Sequence, residues 1–129
     1  MKTIKVSEAT GPVLDWLVAK CEGYNCEFDD DVSGPWLVPQ EGYLHDEKPL
    51  SKFKPSTNWS TAGPIIEREH ISVEAYSVPN DERIKCFWYA SEDKFDAETW
   101  DGPTPLIAAC RCYVASKMGD VVEVPEELE

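Results

Sequence analysis

The sequence predicts an α+β fold: a small antiparallel sheet packed against two main helices, at about residues 12–22 and 105–118. Three observations predict it. Thr104 and Pro105 suit the opening of a helix, and Gly119 suits its close. Val13, Leu14, Leu17, Val18 and Cys21 make one apolar stripe at i, i+3, i+4 spacing. Ile71, Val73 and Ala75 alternate with Ser72, Glu74 and Tyr76, the period of a half-buried strand.

Taken in order, Ile4 to Val6 is a short strand, and Ser7 to Gly11 is a turn or a short helical piece. Pro12 opens the first main helix, which runs to about Glu22, with Asp15 and Trp16 off the centre of its stripe. Gly23 ends it. Residues 24 to 56 carry little periodicity and read as a long irregular stretch. Within it, Asp29-Asp30-Asp31 is a solvated acidic run without calcium-loop spacing. Trp36-Leu37-Val38, between Pro35 and Pro39, reads as an edge strand. Pro49, Lys52, Lys54 and Pro55 mark an exposed connection.

Asn58 to Pro64 reads as a loop, because Gly63-Pro64 is a turn signal. Ile65 to Glu69 is strand-like. After the alternating segment from Ile71, Val78 to Glu82 is a connection. Ile84 to Ala90 is an aromatic-rich strand, antiparallel to the previous one. Glu92 to Asp101 is an acidic loop. The second main helix, Pro105 to Met118, buries Leu106, Ile107, Cys110, Tyr113, Val114 and Met118, with Lys117 facing the negative end of its dipole. Val121 to Val124 is a last strand, stopped by Pro125, and the tail frays. The 129 residues form a single domain, 1–129, long enough for a core.

The net charge is −13, from 25 acids and 12 bases. Such a chain is repelled by nucleic acid and anionic membrane at long range, so neither is an expected partner. No apolar run approaches a membrane span, and the first residues have no signal-peptide core. The expected location is the cytoplasm. Five cysteines, an odd number without a C-x-x-C pair, agree with a reducing compartment. Cys21, Cys86 and Cys110 read as small buried hydrophobes. Cys110 and Cys112 point to opposite sides of a helix, and His45 and His70 lack ligand partners, so no metal and no cofactor is expected.

No nucleophile elbow, phosphate loop, dinucleotide fingerprint or zinc-protease motif occurs. Glu67 and Glu69 would share a face of a strand, where they either do acid–base work or flank solvated backbone. The stronger signal is for binding. Trp59 offers a stacking face, Ser60 and the backbone near Pro64 offer hydrogen bonds, and Arg68 offers a fork for phosphate or carboxylate. Otherwise Trp59 plugs the core and Arg68 pairs with an acid. Arg111 lies within a small, apolar helical run, so it lines a cleft or meets a buried acid. Of Trp88 and Tyr89, alternation turns one to the core. The candidate ligand-binding set is therefore Trp59, Ser60, Pro64, Glu67, Arg68, Trp88 and Arg111, with no catalytic residue assigned.

Three segments resemble one family: Leu14 to Gly23 after Lys5-Val6-Ser7-Glu8; Asn58-Trp59-Ser60 leading to Gly63 to Glu69; and Gly102 to Ala109 leading to Arg111, Ser116 to Asp120 and Val124 to Leu128. In this order the chain resembles the NinX family, small proteins of lambdoid and related tailed phages of enteric bacteria. The resemblance covers the chain apart from residues 24–56 and 77–101. It implies a phage accessory protein in the host bacterial cytoplasm and brings no catalytic residues. The leading expectation is a non-enzymatic binder of a small nucleotide-like ligand, such as a host immune signal it sequesters, acting as a homo-oligomer. The alternative is an acidic decoy or inhibitor that binds a host protein. The third is a small hydrolase using Glu67 or Glu69.

Overall fold

The computed structural model describes residues 2–28, 35–39, 48–49, 52–80, 83–92 and 99–125. The elements run β1 (Lys2–Lys5), a 3-10 turn (Val6–Glu8), α1 (Gly11–Cys21), β2 (Tyr24–Phe28), β3 (Pro35–Pro39), β4 (Lys48–Pro49), α2 (Trp59–Glu69), β5 (Ile71–Asn80), β6 (Arg83–Glu92), β7 (Trp100–Gly102), α3 (Pro105–Met118) and β8 (Val121–Val124). The fold is α+β, and every paired strand is antiparallel. Among the described residues three small sheets form, in the orders β1-β8, β2-β3-β4 and β5-β6-β7. The last packs against α3. Among the described residues no helix is long and apolar enough to cross a membrane.

Helix α3 begins and ends where its signals stand. Thr104 Oγ1 accepts the Ile107 N–H at 3.2 Å, Pro105 takes the first position, and Gly119 closes the helix at a φ of 89°. The helix is central, so burial extends around it. Ala108, Ala109, Arg111 and Cys112 are buried with Leu106, Cys110, Tyr113 and Val114. Ile107 is half-buried, and Met118 is exposed with the rest of the last turn, Ser116 and Lys117.

Helix α1 is likewise wrapped on more than one side. Asp15 and Trp16 are buried beside Leu14, Leu17 and Val18. The reason lies in the segment expected to be exposed. Phe53, Pro55 and Ser56 are buried, and the Ser56 N–H donates to Asp15 Oδ1 at 2.9 Å. Phe53 also meets the ring of Tyr24, centroid to centroid at 5.8 Å. A helix covered on two sides needs apolar residues beyond one stripe.

Other expectations are corrected. Residues 24–28, 35–39 and 48–49 pair into a meander, so Trp36 to Val38 lie in a central strand. Pro35 and Pro39 sit at its two ends, where a missing N–H disturbs the ladder least. The acidic run at 29–31 lies outside the described residues, as do His45 and the tail. β5 extends through the expected connection to Asn80, and Trp100 to Gly102 form a strand.

The largest correction concerns residues 59–69, which are helical. Asn58 caps the helix by accepting the Ser60 N–H at 2.9 Å, and its carbonyl accepts from Thr61 and Ala62. Pro64 sits inside the helix and forfeits one backbone bond, the one to the Ser60 carbonyl. Burial of Ala62 and Ile65, with Ile66 packed on the core, offsets that loss. His70 ends the helix in the left-handed conformation, at a φ of 55°.

Candidate functional site

Arg68 stands in the last turn of α2 and gathers the ends of three helices. Its Nη1 and Nη2 donate to Glu22 Oε1 and Oε2 at 3.1 and 2.7 Å, a two-pronged grip. Its Nε donates to Glu69 Oε2 at 3.1 Å, and Lys117 Nζ meets Glu69 Oε1 at 2.9 Å. The Tyr113 hydroxyl donates to Glu22 Oε2 at 2.6 Å and accepts from Arg68 Nη2 at 3.2 Å. Arg68 and Lys117 each stand 5.9 Å from the centre of the Tyr113 ring.

The charges in this network are fixed by their neighbours. Lys117 first, and Arg68 second, hold the Glu69 carboxyl below its usual range. Burial, reinforced by the hydrogen bond to Glu22, pushes the Tyr113 hydroxyl well above its usual range. That hydroxyl stays protonated at neutral pH and is no general base there. Arg68 is 52% exposed, so its ion pairs contribute about 0–1 kcal/mol each. Arg68 thus has the acidic partners that the sequence left open as one of its two readings. Glu67 and Glu69 lie on a helix, where residues two apart do not face each other, so the shared face expected of them is not formed.

Arg111 has a different environment. It is 8% exposed, and its bonds run to backbone carbonyls. Its Nε donates to the Ala9 carbonyl at 3.0 Å and its Nη1 to the Asp101 carbonyl at 2.7 Å. One guanidinium therefore ties α3 to the exit of the 3-10 turn and to β7. Burial lowers its pKa, opposed by the charge of Asp101. Gly102 completes the seam, since a Cβ there would stand 2.6 Å from the Ala108 backbone nitrogen.

The remaining candidates spread out. Trp59, Ser60, Pro64 and Glu67 are exposed along α2, with Trp59 57% exposed at its first position. Trp88 is half-buried against the core, while the Tyr89 hydroxyl bonds Glu74. Trp59 and Arg68 are nine residues apart, about 13 Å along the axis and half a turn around it. Arg111 and Tyr113, two apart on α3, point to different sides. The structure therefore leaves Trp59, Arg68 and Arg111 in three separate places.

Two polar features went unread in the sequence. Asp15 is 5% exposed, and burial raises its pKa against the hydrogen bond from Ser56. The Ser56 hydroxyl is close enough to oppose that rise but meets no partner at hydrogen-bonding geometry, and neither does Trp16 Nε1. The available signal was an aspartate inside an apolar helical run. The second feature is an open cleft of about 690 Å³ along β1 and the start of α1, bordered by Lys2, Lys5, Thr10 and Val121. Among the described residues, no group of three or more His, Cys, Asp or Glu is placed to hold a metal.

The family model described as Bacteriophage P22, NinX matches residues 5–117, most of the chain, and the chain belongs to that family. The matched span takes in 24–56 and 77–101 and stops before Met118, so the similarity expected of the last strand and tail lies beyond it. No curated protein matches the chain.

Proposed function

We propose that this phage accessory protein of the NinX family acts by binding, and that its partner is a host protein with a basic surface. The observation that carries the reading is Trp59. A tryptophan 57% exposed on a firmly capped helix is a rigid apolar anchor with two torsions to order. It is offered by a chain of net charge −13, which steers a basic partner toward it. A compact nucleotide-like ligand would need its stacking and anion-binding groups together, and Trp59, Arg68 and Arg111 stand apart.

The test is capture from host lysate with the intact protein and with Trp59→Ala, followed by affinity measurement on the recovered partner. An anchor of about 2 kcal/mol predicts roughly a 30-fold weaker complex for Trp59→Ala. Association should also slow steeply between low salt and 1 M salt, where the screening length falls to about 3 Å. Salt-insensitive association with an unchanged Trp59→Ala complex defeats the proposal. Thermal stabilisation by a mono-, di- or cyclic nucleotide, in place of protein capture, returns the assignment to a small ligand.

A further inference from the structure

Helix α2 carries two features that its fold does not require. Pro64 stands in the helix interior, where its missing N–H leaves the Ser60 carbonyl without the usual donor four residues on. Glu67 has no ion pair and no side-chain hydrogen bond among the described residues. The charged groups next to it are engaged elsewhere. Arg68 turns its guanidinium to Glu22 and Glu69, and Lys117 meets Glu69.

Both features lie on one outer face. Ser60, Pro64 and Glu67 recur at i, i+4 and i+7, and all three are exposed. Ala62 and Ile65 hold the buried side. Trp59, one residue before Ser60, is the exposed ring at the start of the helix. Between them lies Gly63, where a Cβ would meet nothing within 4 Å, so an incoming side chain can approach the helix backbone. The missing Cβ also eases the helical conformation of the residue before Pro64. The open carbonyl points toward Pro64, and Glu67 stands three residues beyond it. Helical side chains lean toward the N-terminus, which brings that carboxylate back toward the carbonyl. The face thus offers acceptors: a carbonyl, a carboxylate and an indole ring that attracts cations.

We propose that the outer face of α2 docks a segment of a partner protein that carries an arginine beside an apolar residue. The arginine donates to the Ser60 carbonyl and the Glu67 carboxylate, and the apolar residue packs on Trp59. Arginine suits the place better than lysine, because its planar fork serves two acceptors at once. The net charge of −13 draws such a segment in. A second copy of this chain fits the face poorly, since two acceptor faces and two strongly negative chains would meet. The proposal rests on Trp59 as the anchor and adds the chemical group that its face selects.

The experiment titrates the intact protein with a fluorescent dodecapeptide of Arg and Leu at helical spacing. Its controls are the counterparts with Lys or Glu in place of Arg. The Arg peptide should bind, the Lys peptide more weakly, and the Glu peptide not at all. Trp59→Ala and Glu67→Gln should each weaken the Arg peptide by roughly tenfold or more. Glu123→Gln, at an exposed position on β8, should leave binding unchanged and so separates this face from the overall charge. Pro64→Ala returns an N–H to the Ser60 carbonyl. Its thermal midpoint should rise while its binding falls, whereas a purely structural proline would move the midpoint alone. Undiminished binding by Glu67→Gln or Pro64→Ala overturns the proposal; if Trp59→Ala is still weakened, the Trp59 anchor survives it. Undiminished binding by Trp59→Ala overturns both. An equal loss in Glu123→Gln, equal binding of the Lys peptide, or no binding at millimolar peptide also overturns the proposal.

Discussion

Arg111→Met separates a structural arginine from a ligand-binding one. Methionine keeps much of the apolar stem but offers no donor. The Ala9 and Asp101 carbonyls, bonded at 3.0 and 2.7 Å, would each lose a partner beside a residue that is 8% exposed. An orphaned buried acceptor, the Ala9 carbonyl, costs about 1–3 kcal/mol, and the part-buried Asp101 carbonyl adds the roughly 0.5–1.5 kcal/mol of an ordinary hydrogen bond, so the pair costs about 1.5–4.5 kcal/mol. That is a large share of a domain stability of about 5–15 kcal/mol. Over 129 residues it corresponds to a midpoint lower by about 6–17 °C. Arg111→Lys, with one compact donor group in place of a fork, should recover roughly half of the loss. Urea unfolding and calorimetry at neutral pH measure both variants. A loss under about 1 kcal/mol for Arg111→Met, with unchanged unfolding cooperativity, refutes the reasoning, because water must then reach the buried Ala9 carbonyl.

Two further outcomes follow from the same core. Gly102→Ala should cost about 1–3 kcal/mol in urea unfolding, since its Cβ would press within 2.6 Å of a helix backbone nitrogen; a neutral variant means β7 can move off α3. Burial pushes the Cys21 thiol up to about 11 and the Cys110 thiol up to about 12, so both should resist alkylation at pH 8 until the chain is unfolded. The unfolded thiols ionise first, so their contribution to stability is complete below about pH 8.5 and declines as pH rises toward 11 and 12. Rapid native labelling of either cysteine at pH 8, or flat stability contributions from them through that window, contradicts this burial.

Legibility in the sequence followed the locality of the physics. The bounds of α3 were readable because Thr104, Pro105 and Gly119 act on backbone groups within a few residues. The β5–β6 pairing was readable because alternation is also a local pattern. At α2 two local signals competed. Gly63-Pro64 spoke for a turn and Asn58 for a helix cap, and the decision came from Ala62 and Ile65 burying themselves in a core that local sequence does not reveal. Reading that segment as a loop also let Trp59, Ser60 and Arg68 converge, whereas a helix spaces them along its length.

Arg111 and Asp15 show the same limit at the level of single side chains. Both are charged residues set among apolar ones, and both demand partners. Arg111 finds carbonyls of residues 102 and 10 positions away, and Asp15 finds an N–H 41 positions away. A backbone carbonyl or N–H carries no residue-type signature, so no spacing rule announces such partners. The sequence therefore identified Arg111 as a constrained arginine, while the fold determined that its constraint is the α3–β7 seam. The exposed Trp59 differs in kind: it is 57% exposed at the first position of α2, so burial in the core does not account for it, which makes it the place to look for function.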